Sequence, residues 1–509
     1  MNVINVTGGA SVRRAGICVP LFSLRSRQGW GLGEILDIPP AVQWLRAARQ
    51  TLLQILPLNE LAPGESSPYS ALSAMAIDPR FISIRYIPDA PDFEALWPAE
   101  IAAVRQAPVI AYDRISALKN VALRICFERF CENDWDEHTP RADALRDYVR
   151  RESWWIDEYA LYRALRAHSG ERPWTEWPAA LRDRDPGALL AAQRQLEQEI
   201  LFYQYVQWTA AEQWQAVRRA TGAVEILGDF PFMVTLDSAD VWSRQREFLL
   251  DASVGTPPDA FSKTGQEWGL PPYNWDQAAK NNFEWLRMRA RRMADLYGGF
   301  RVDHLVGFYR TYVRPLDGGT PYFSPAVEEE QAALGEAIMR IMMDAGAHVS
   351  VEDLGTVPDF VRESVSRLGL PGYRVVRWEL DDPGTYPQMS VAMTGTHDTE
   401  PLAVWWDTLA AETRAPFARM PSINVEPAAM FSAAVRDAIL KAVYDSPSEM
   451  VLIPIQDVFG WRDRINHPAT VGDWNWTYVL PWPVDLMIGQ PEAAEGAGRI
   501  SLFCREAGR

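Results

Sequence analysis

Eight short apolar runs recur along the chain, most of them parted by residues able to form a helix. They cover residues 16–22, 52–58, 224–229, 299–303, 348–352, 373–378, 391–396 and 450–455. Strands buried on both faces need nearly continuous apolar runs of this kind, and strands joined through helices run parallel. Eight parallel strands linked by right-handed crossovers close the sheet on itself. The spacing therefore predicts an α/β fold, a closed (β/α)8 TIM barrel. Helical periodicity at 327–345 and 428–444 falls between strands, as that fold requires.

The alternation breaks once. Between residues 59 and 223 it gives way to a Pro-punctuated stretch and to helical segments dense in Glu, Arg and Trp, ending in a long amphipathic helix at about 191–220. An insertion of that length predicts a mainly helical subdomain over one barrel rim. The chain then divides into 1–58 with strands one and two, 59–223 as the insertion, and 224–509 with strands three to eight. Only about fifty residues follow the last strand, too few for a separate C-terminal β-domain.

Charge and cysteine usage narrow the class. Fifty Lys and Arg face 67 Asp and Glu, a net charge of −17 with no basic block, which argues against nucleic acid and anionic membrane as partners. The four cysteines are scattered without a CxxC pair, as suits a reducing compartment. No run approaches the roughly 18–20 apolar residues of a membrane span, and the N-terminus lacks an apolar leader core. The expectation is a soluble cytoplasmic protein. Twenty-one tryptophans exceed ordinary usage, and flat indole faces suit sugar rings as well as they suit a core.

Reactive groups of such barrels gather at the C-terminal ends of the strands. There the sequence places Asp229 after strand three, Asp303 and His304 after four, and Glu352 and Asp353 after five. His397 and Asp398 follow strand seven, and Gln456 and Asp457 strand eight. In Gly298-Gly299-Phe300-Arg301-Val302-Asp303-His304 the strand period puts Arg301 and Asp303 on one face, so the guanidinium should hold Asp303 ionised. Taken alone, such a pair is more often a structural tie; a ring of acids around it shifts the balance toward chemistry. Two carboxyl groups about 5–5.5 Å apart suit retaining glycoside chemistry, one as nucleophile and one as acid and then base. Asp303 suits the first task. Glu352, crowded by anions and partly buried, suits the second because its pKa should rise. A metal-dependent barrel hydrolase also collects Asp and His at strand ends, but it usually needs a His-x-His pair on an early strand, and strand one has none.

Taken in order, Ser67-Pro68-Tyr69, Gly228-Asp229-Phe230-Pro231, Asp237-Ser238-Ala239-Asp240-Val241-Trp242, Pro257-Pro258-Asp259, Gly265-Gln266-Glu267-Trp268-Gly269, Phe300-Arg301-Val302-Asp303-His304, Val351-Glu352-Asp353-Leu354-Gly355, Gly395-Thr396-His397-Asp398, Gln456-Asp457 and Arg464-Ile465-Asn466 resemble the signatures of the amylomaltases. These are the 4-α-glucanotransferases, or disproportionating enzymes, of glycoside hydrolase family 77 in the α-amylase clan. The resemblance implies transfer of α-1,4-glucan segments between malto-oligosaccharides without cofactor or metal, with Asp303 as nucleophile, Glu352 as acid/base and Asp398 as a third carboxylate on sugar hydroxyls. It further implies that Arg301, His304 and His397 line the donor site, with Asp229 in support. Tyr69, Asp259 and Trp268 match glucan-contacting positions, and Ser67 and Gln266 join them from the same motifs; a mobile loop at about 251–276 would carry Asp259, Gln266 and Trp268. The chain departs from the family at Thr399-Glu400-Pro401, at Gly64 where an aromatic is usual, and at Leu270 where Asn is common. An α-glucan hydrolase, a debranching enzyme and a weakly active glucan-binding relative are the alternatives.

Overall fold

The computed structural model describes residues 13–257, 265–468, 470 and 472–509. Its centre is a closed barrel of eight parallel strands. In chain order these are β1 Arg14–Cys18, β2 Leu52–Gln54, β3 Glu225–Phe230, β4 Gly299–Val302, β5 His348–Val351, β6 Gly372–Val375, β7 Ser390–Met393 and β8 Met450–Pro454. Each strand pairs with its sequence neighbours, and β8 returns to β1 with Arg14 opposite Met450 and Cys18 opposite Pro454. The predicted barrel is present, with strands shorter than their apolar runs. Residues 19–22, 55–58 and 376–377 are buried like strand residues but turn away from the sheet, and hydrophobicity cannot separate a strand from a buried turn that continues it.

Period-two alternation sorts the side chains into two apolar bodies. Leu52, Leu227, Tyr373, Val375, Val391, Met393, Met450 and Leu452 fill the lumen, while Ile17, Leu53, Ile226, Phe300, Val302 and Val351 face the surrounding helices. On the inward face of β4, Gly299 lies so close to β5 that a Cβ would stand 2.8 Å from the His348 carbonyl oxygen. Arg301 is the next inward residue, placed by register beside Asp229 of β3 and Ser350 of β5.

The helices follow from their sequences. Pro39 and Pro40 occupy the first turn of Ile38–Ala47, where their missing N–H groups leave no helix bond unmade. The expected long helix at 191–220 is two: Pro186–Gln195 ends at Leu196, and Glu197–Thr221 begins there. That second helix is the crossover between β2 and β3. Arg46 donates to the carbonyls of Ala220 and Thr221 at its end, and Trp214 Nε1 donates at 2.8 Å to Leu296 O on the helix preceding β4. Its Gln207 side chain exchanges two hydrogen bonds with the backbone of Ile77, pinning the segment that follows β2. No strand follows β8 among the described residues; the helix Pro491–Ala507 closes the outer ring, taking a 2.7 Å bond from Trp44 Nε1 on the Ala493 carbonyl. No described helix is long and apolar enough to cross a membrane.

One feature lies outside the sequence expectations. The loops after β3 and β4 build a four-stranded antiparallel sheet from Gln266–Glu267, Ala252–Thr256, Thr311–Pro315 and Tyr322–Ser324, in that spatial order. Two- to five-residue strands contributed by separate loops leave too short a pattern to read.

Near the rim, Lys119 is fully buried and donates to Glu34 Oε1 and to the carbonyls of Arg80 and Ile82, tying the helix Tyr112–Phe130 to the barrel. Beside it burial, with the neighbouring Glu34 charge, pushes the Asp37 carboxyl up to about 7. A carboxyl whose folded pKa exceeds its ordinary value takes up a proton on folding, so its stabilisation is full below about 4 and is lost as pH rises through about 7. Asp37→Asn keeps an acceptor for the Glu34 N–H, which Asp37 holds at 2.9 Å. The variant is expected to flatten the fall in thermal midpoint between pH 5 and pH 8, as followed by circular dichroism; an unchanged slope would remove Asp37 as its source.

Candidate active site

Arg301 organises the C-terminal mouth of the barrel. It is 3% exposed, and its two terminal nitrogens serve three acids from three adjacent strands. Nη1 donates to Asp229 Oδ2; Nη2 donates to Asp303 Oδ1 at 2.9 Å and lies 2.8 Å from Glu352 Oε2. The Asp303 and Glu352 oxygens are thus both within 2.9 Å of one nitrogen, and their separation cannot exceed twice that distance. His304 follows Asp303 with φ +45°, an uncommon backbone for a residue with a Cβ. That turn aims its N–H at Glu352 Oε2, 2.9 Å away.

Proton placement differs from the sequence expectation. Burial dominates at Asp303 and, with the Glu352 and Asp229 charges, outweighs Arg301, so the carboxyl is pushed up to about 8. Burial would also raise Glu352, but Arg301 and the His304 N–H bring it below the usual glutamate value. At neutral pH these opposite shifts favour the proton on Asp303 and leave Glu352 ionised. Same-face spacing revealed that Arg301 meets Asp303; it could not reveal that the same nitrogen also holds Glu352.

The other side of the mouth is a second network. The Tyr69 hydroxyl donates to Asp229 Oδ2 at 2.8 Å and lies 3.0 Å from His397 Nε2, with the two rings stacked. His397 Nε2 is 3.3 Å from Asp398 Oδ2. Burial would depress the imidazole, but the Asp398 charge and hydrogen bond raise it. Asp398 is held well below the usual carboxylate range, because His397 and the Asn466 amide, 2.6 Å from Oδ1, overcome its burial. Facing them, the His304 ring packs edge-on to Trp268 at 5.0 Å and against Phe232, and burial lowers its pKa, keeping it neutral. Trp268 Nε1 donates to Gln266 Oε1, which brings the antiparallel sheet to the mouth.

The structure therefore brings together Asp229, Arg301, Asp303, His304, Glu352, His397, Asp398, Tyr69, Trp268 and Gln266. Ser67 lies to one side, lining a cavity of about 670 Å³ with Gly64, Tyr112 and Trp476. Asp259 lies outside the described residues. Asp353 and Asp457 are structural: Asp353 Oδ1 accepts from the Tyr373 N–H at 2.7 Å, and Asp457 accepts from Leu402 N and Thr394 Oγ1. Missing from the sequence reading are Phe232, Asn466 as the clamp on Asp398, and Trp476, whose ring stands 6.0 Å from His397. The motif Arg464-Ile465-Asn466 carried the one available signal, and only for Asn466. Among the described residues no group of three or more His, Cys, Asp or Glu side chains could hold a metal ion.

The unusual Thr399-Glu400-Pro401 segment has a structural account. Thr399 Oγ1 accepts from Thr396 N at 3.0 Å and donates back to Thr396 O, closing the turn that carries His397 and Asp398. Glu400 pairs with Arg377 and Arg464, behind that turn.

Comparison with known proteins gives this geometry its context. The model of the glycoside hydrolase family described as 4-alpha-glucanotransferase matches residues 19–483. The chain belongs to this family. A 4-alpha-glucanotransferase of Thermus thermophilus is 32% identical over 475 residues, spanning 86% of this chain and 89% of its own. One from Chlamydia pneumoniae is 28% identical, spanning 93% and 92%. Among solved structures, an amylomaltase from Streptococcus agalactiae in complex with acarbose superposes with TM-score 0.85 at 24% identity, covering 98% of this chain and 99% of that one, which shows a common fold. As a member of the 4-α-glucanotransferase family the protein is an enzyme, an amylomaltase, and the carboxylates gathered on Arg301 stand at the mouth of that family's barrel.

Proposed function

We propose that the protein transfers α-1,4-glucan segments between malto-oligosaccharides by double displacement at Asp303 and Glu352. The observation that carries this reading is the shared contact of both carboxylates with Arg301 Nη2. The bound it sets on their separation falls short of the roughly 6.5–9.5 Å that inverting enzymes need to admit a water, and is compatible with the about 5–5.5 Å of retaining ones.

A donor glucan places an anomeric carbon against Asp303 and the scissile oxygen against Glu352. The proton of the pair passes from Asp303 to Glu352, which the approaching glycosidic oxygen draws away from the His304 N–H. An Asp303 oxygen attacks C1, the C1–O4 bond breaks, and Glu352 protonates the departing O4. A β-glycosyl ester on Asp303 results. The 4-hydroxyl of a second glucan then attacks C1, Glu352 takes its proton, the ester bond breaks and the α-linkage is restored. Asp398, ionised and clamped by Asn466, and His397 hold donor hydroxyls. Trp268, packed on His304, narrows access for water, which favours a held sugar as acceptor.

Maltotriose alone tests the reading. Glucose and a ladder of longer maltooligosaccharides should appear while reducing ends stay constant. Rising reducing ends would mean hydrolysis, and no products would overturn the proposal. The acid role of Glu352 has its own check. Glu352→Gln should lower maltotriose turnover by about 10²–10⁴-fold. The same variant should still release a single-turnover burst of fluoride from α-maltotriosyl fluoride, whose leaving group needs no proton. A burst lost in parallel would remove Glu352 as the acid.

A further inference from the structure

Outside the barrel mouth, one crevice of the helical lobe has the makings of a binding site. It holds about 350 Å³ between the helices Pro140–His168 and Glu197–Thr221, and shares no residue with the site above. Its size falls within the roughly 300–1,000 Å³ of small-ligand clefts. Leu161 and Leu201, both buried, contribute apolar floor, and Trp135 forms a wall. The amides of Gln193, Gln198 and Gln204 and the carboxyls of Asp157 and Glu197 stand around it.

Two local irregularities build the crevice. The helix Tyr112–Phe130 runs into a π-helical turn, Cys131–Trp135, and such turns redirect side chains, often at functional sites. Here the turn delivers Trp135, one face of whose ring is stacked by the Arg146 guanidinium at 4.3 Å. The break at Leu196 between two helices does the rest, setting Gln193 before it and Gln198 after it on one opening.

The lining selects a class of ligand. Amide groups both donate and accept, as sugar hydroxyls do, and an indole face with a leucine floor suits the C–H face of a pyranose. No lining residue is cationic, which disfavours phosphorylated sugars. Burial and the Glu158 charge raise the Asp157 pKa, consistent with a neutral partner. We infer that this crevice is a second α-glucan site, one that anchors long chains to the lobe while their ends react in the barrel. The choice of α-glucan rests on the transferase reading above. Joining two sites on one polymer raises its effective concentration at each, so the gain should appear with amylose or glycogen and vanish with maltotriose.

The test uses the full chain. Gln198→Ala/Gln204→Ala and, separately, Trp135→Ala are run in native gels containing glycogen, with maltotriose kinetics measured in parallel. Both variants are expected to lose most of the glycogen retardation and to raise KM for amylose several-fold, with maltotriose kcat/KM within about twofold of wild type. Unchanged retardation and amylose KM in the glutamine double variant would overturn the proposal, since Gln198 is exposed and Gln204 only partly buried. Equal losses on maltotriose and amylose would overturn it too, as would a wild-type crevice that binds spermidine but not glycogen by isothermal titration. Retardation is read without turnover, so it stands even if maltotriose is not converted.

Discussion

Asp303→Asn is expected to lower kcat for maltotriose disproportionation by roughly 10⁴–10⁶-fold, the scale on which loss of a nucleophile is felt in enzymes with covalent intermediates. The amide cannot form the glycosyl ester, and it cannot pass a proton to Glu352. The fold should not suffer. Asn keeps an oxygen for Arg301 Nη2, and the substitution removes a carboxyl that burial has already pushed up to about 8. The thermal midpoint at pH 8 should therefore equal or exceed that of the wild type. A variant retaining more than a hundredth of wild-type turnover would show that another group attacks C1.

Arg301→Met is expected to combine the largest stability loss with near-complete inactivation. The guanidinium is the shared counter-charge of Asp229, Asp303 and Glu352, and Tyr69 lies against it as well. Removing one partner of a buried ion pair typically costs about 3–5 kcal/mol, because the remaining charge is left without water or partner. The deficit carries a pH signature. Without Arg301, Asp229 and Asp303 rise further above their unfolded values and Glu352 loses the charge that holds it below its own, so the folded state binds more protons than before and stability climbs as pH falls. Urea midpoints at pH 5.5 and 8 should show the variant recovering part of its loss at the lower pH. An equal deficit at both values would mean that the loss comes from packing rather than from uncompensated charge.

Much of this was legible in the sequence because a parallel barrel writes itself as repeated apolar runs and places its reactive groups at their ends. Asp229, Asp303, Glu352 and Asp398 could be picked out from that rule alone, and the family motifs then distributed roles among them. Charge placement was another matter. The strand period reports which residues share a face of one strand, whereas the proton between Asp303 and Glu352 depends on a guanidinium reaching across to β5 and on a left-handed turn at His304, neither of which leaves a periodic trace. Asn466 and Trp476 lie in the long irregular segment after β8, where no pattern marks an inward side chain. The split at Leu196 escaped because no Gly or Pro marks it and the apolar stripe continues through.

The crossover role of Glu197–Thr221 bears on how such an enzyme can be altered. The helix is a stave of the barrel wall along its last turns and a wall of the lobe along its first, so no cut through it frees one part without exposing the other. A graft of a foreign lobe has to bring its own closing stave, matched to the Trp214 bond and the Arg46 clasp.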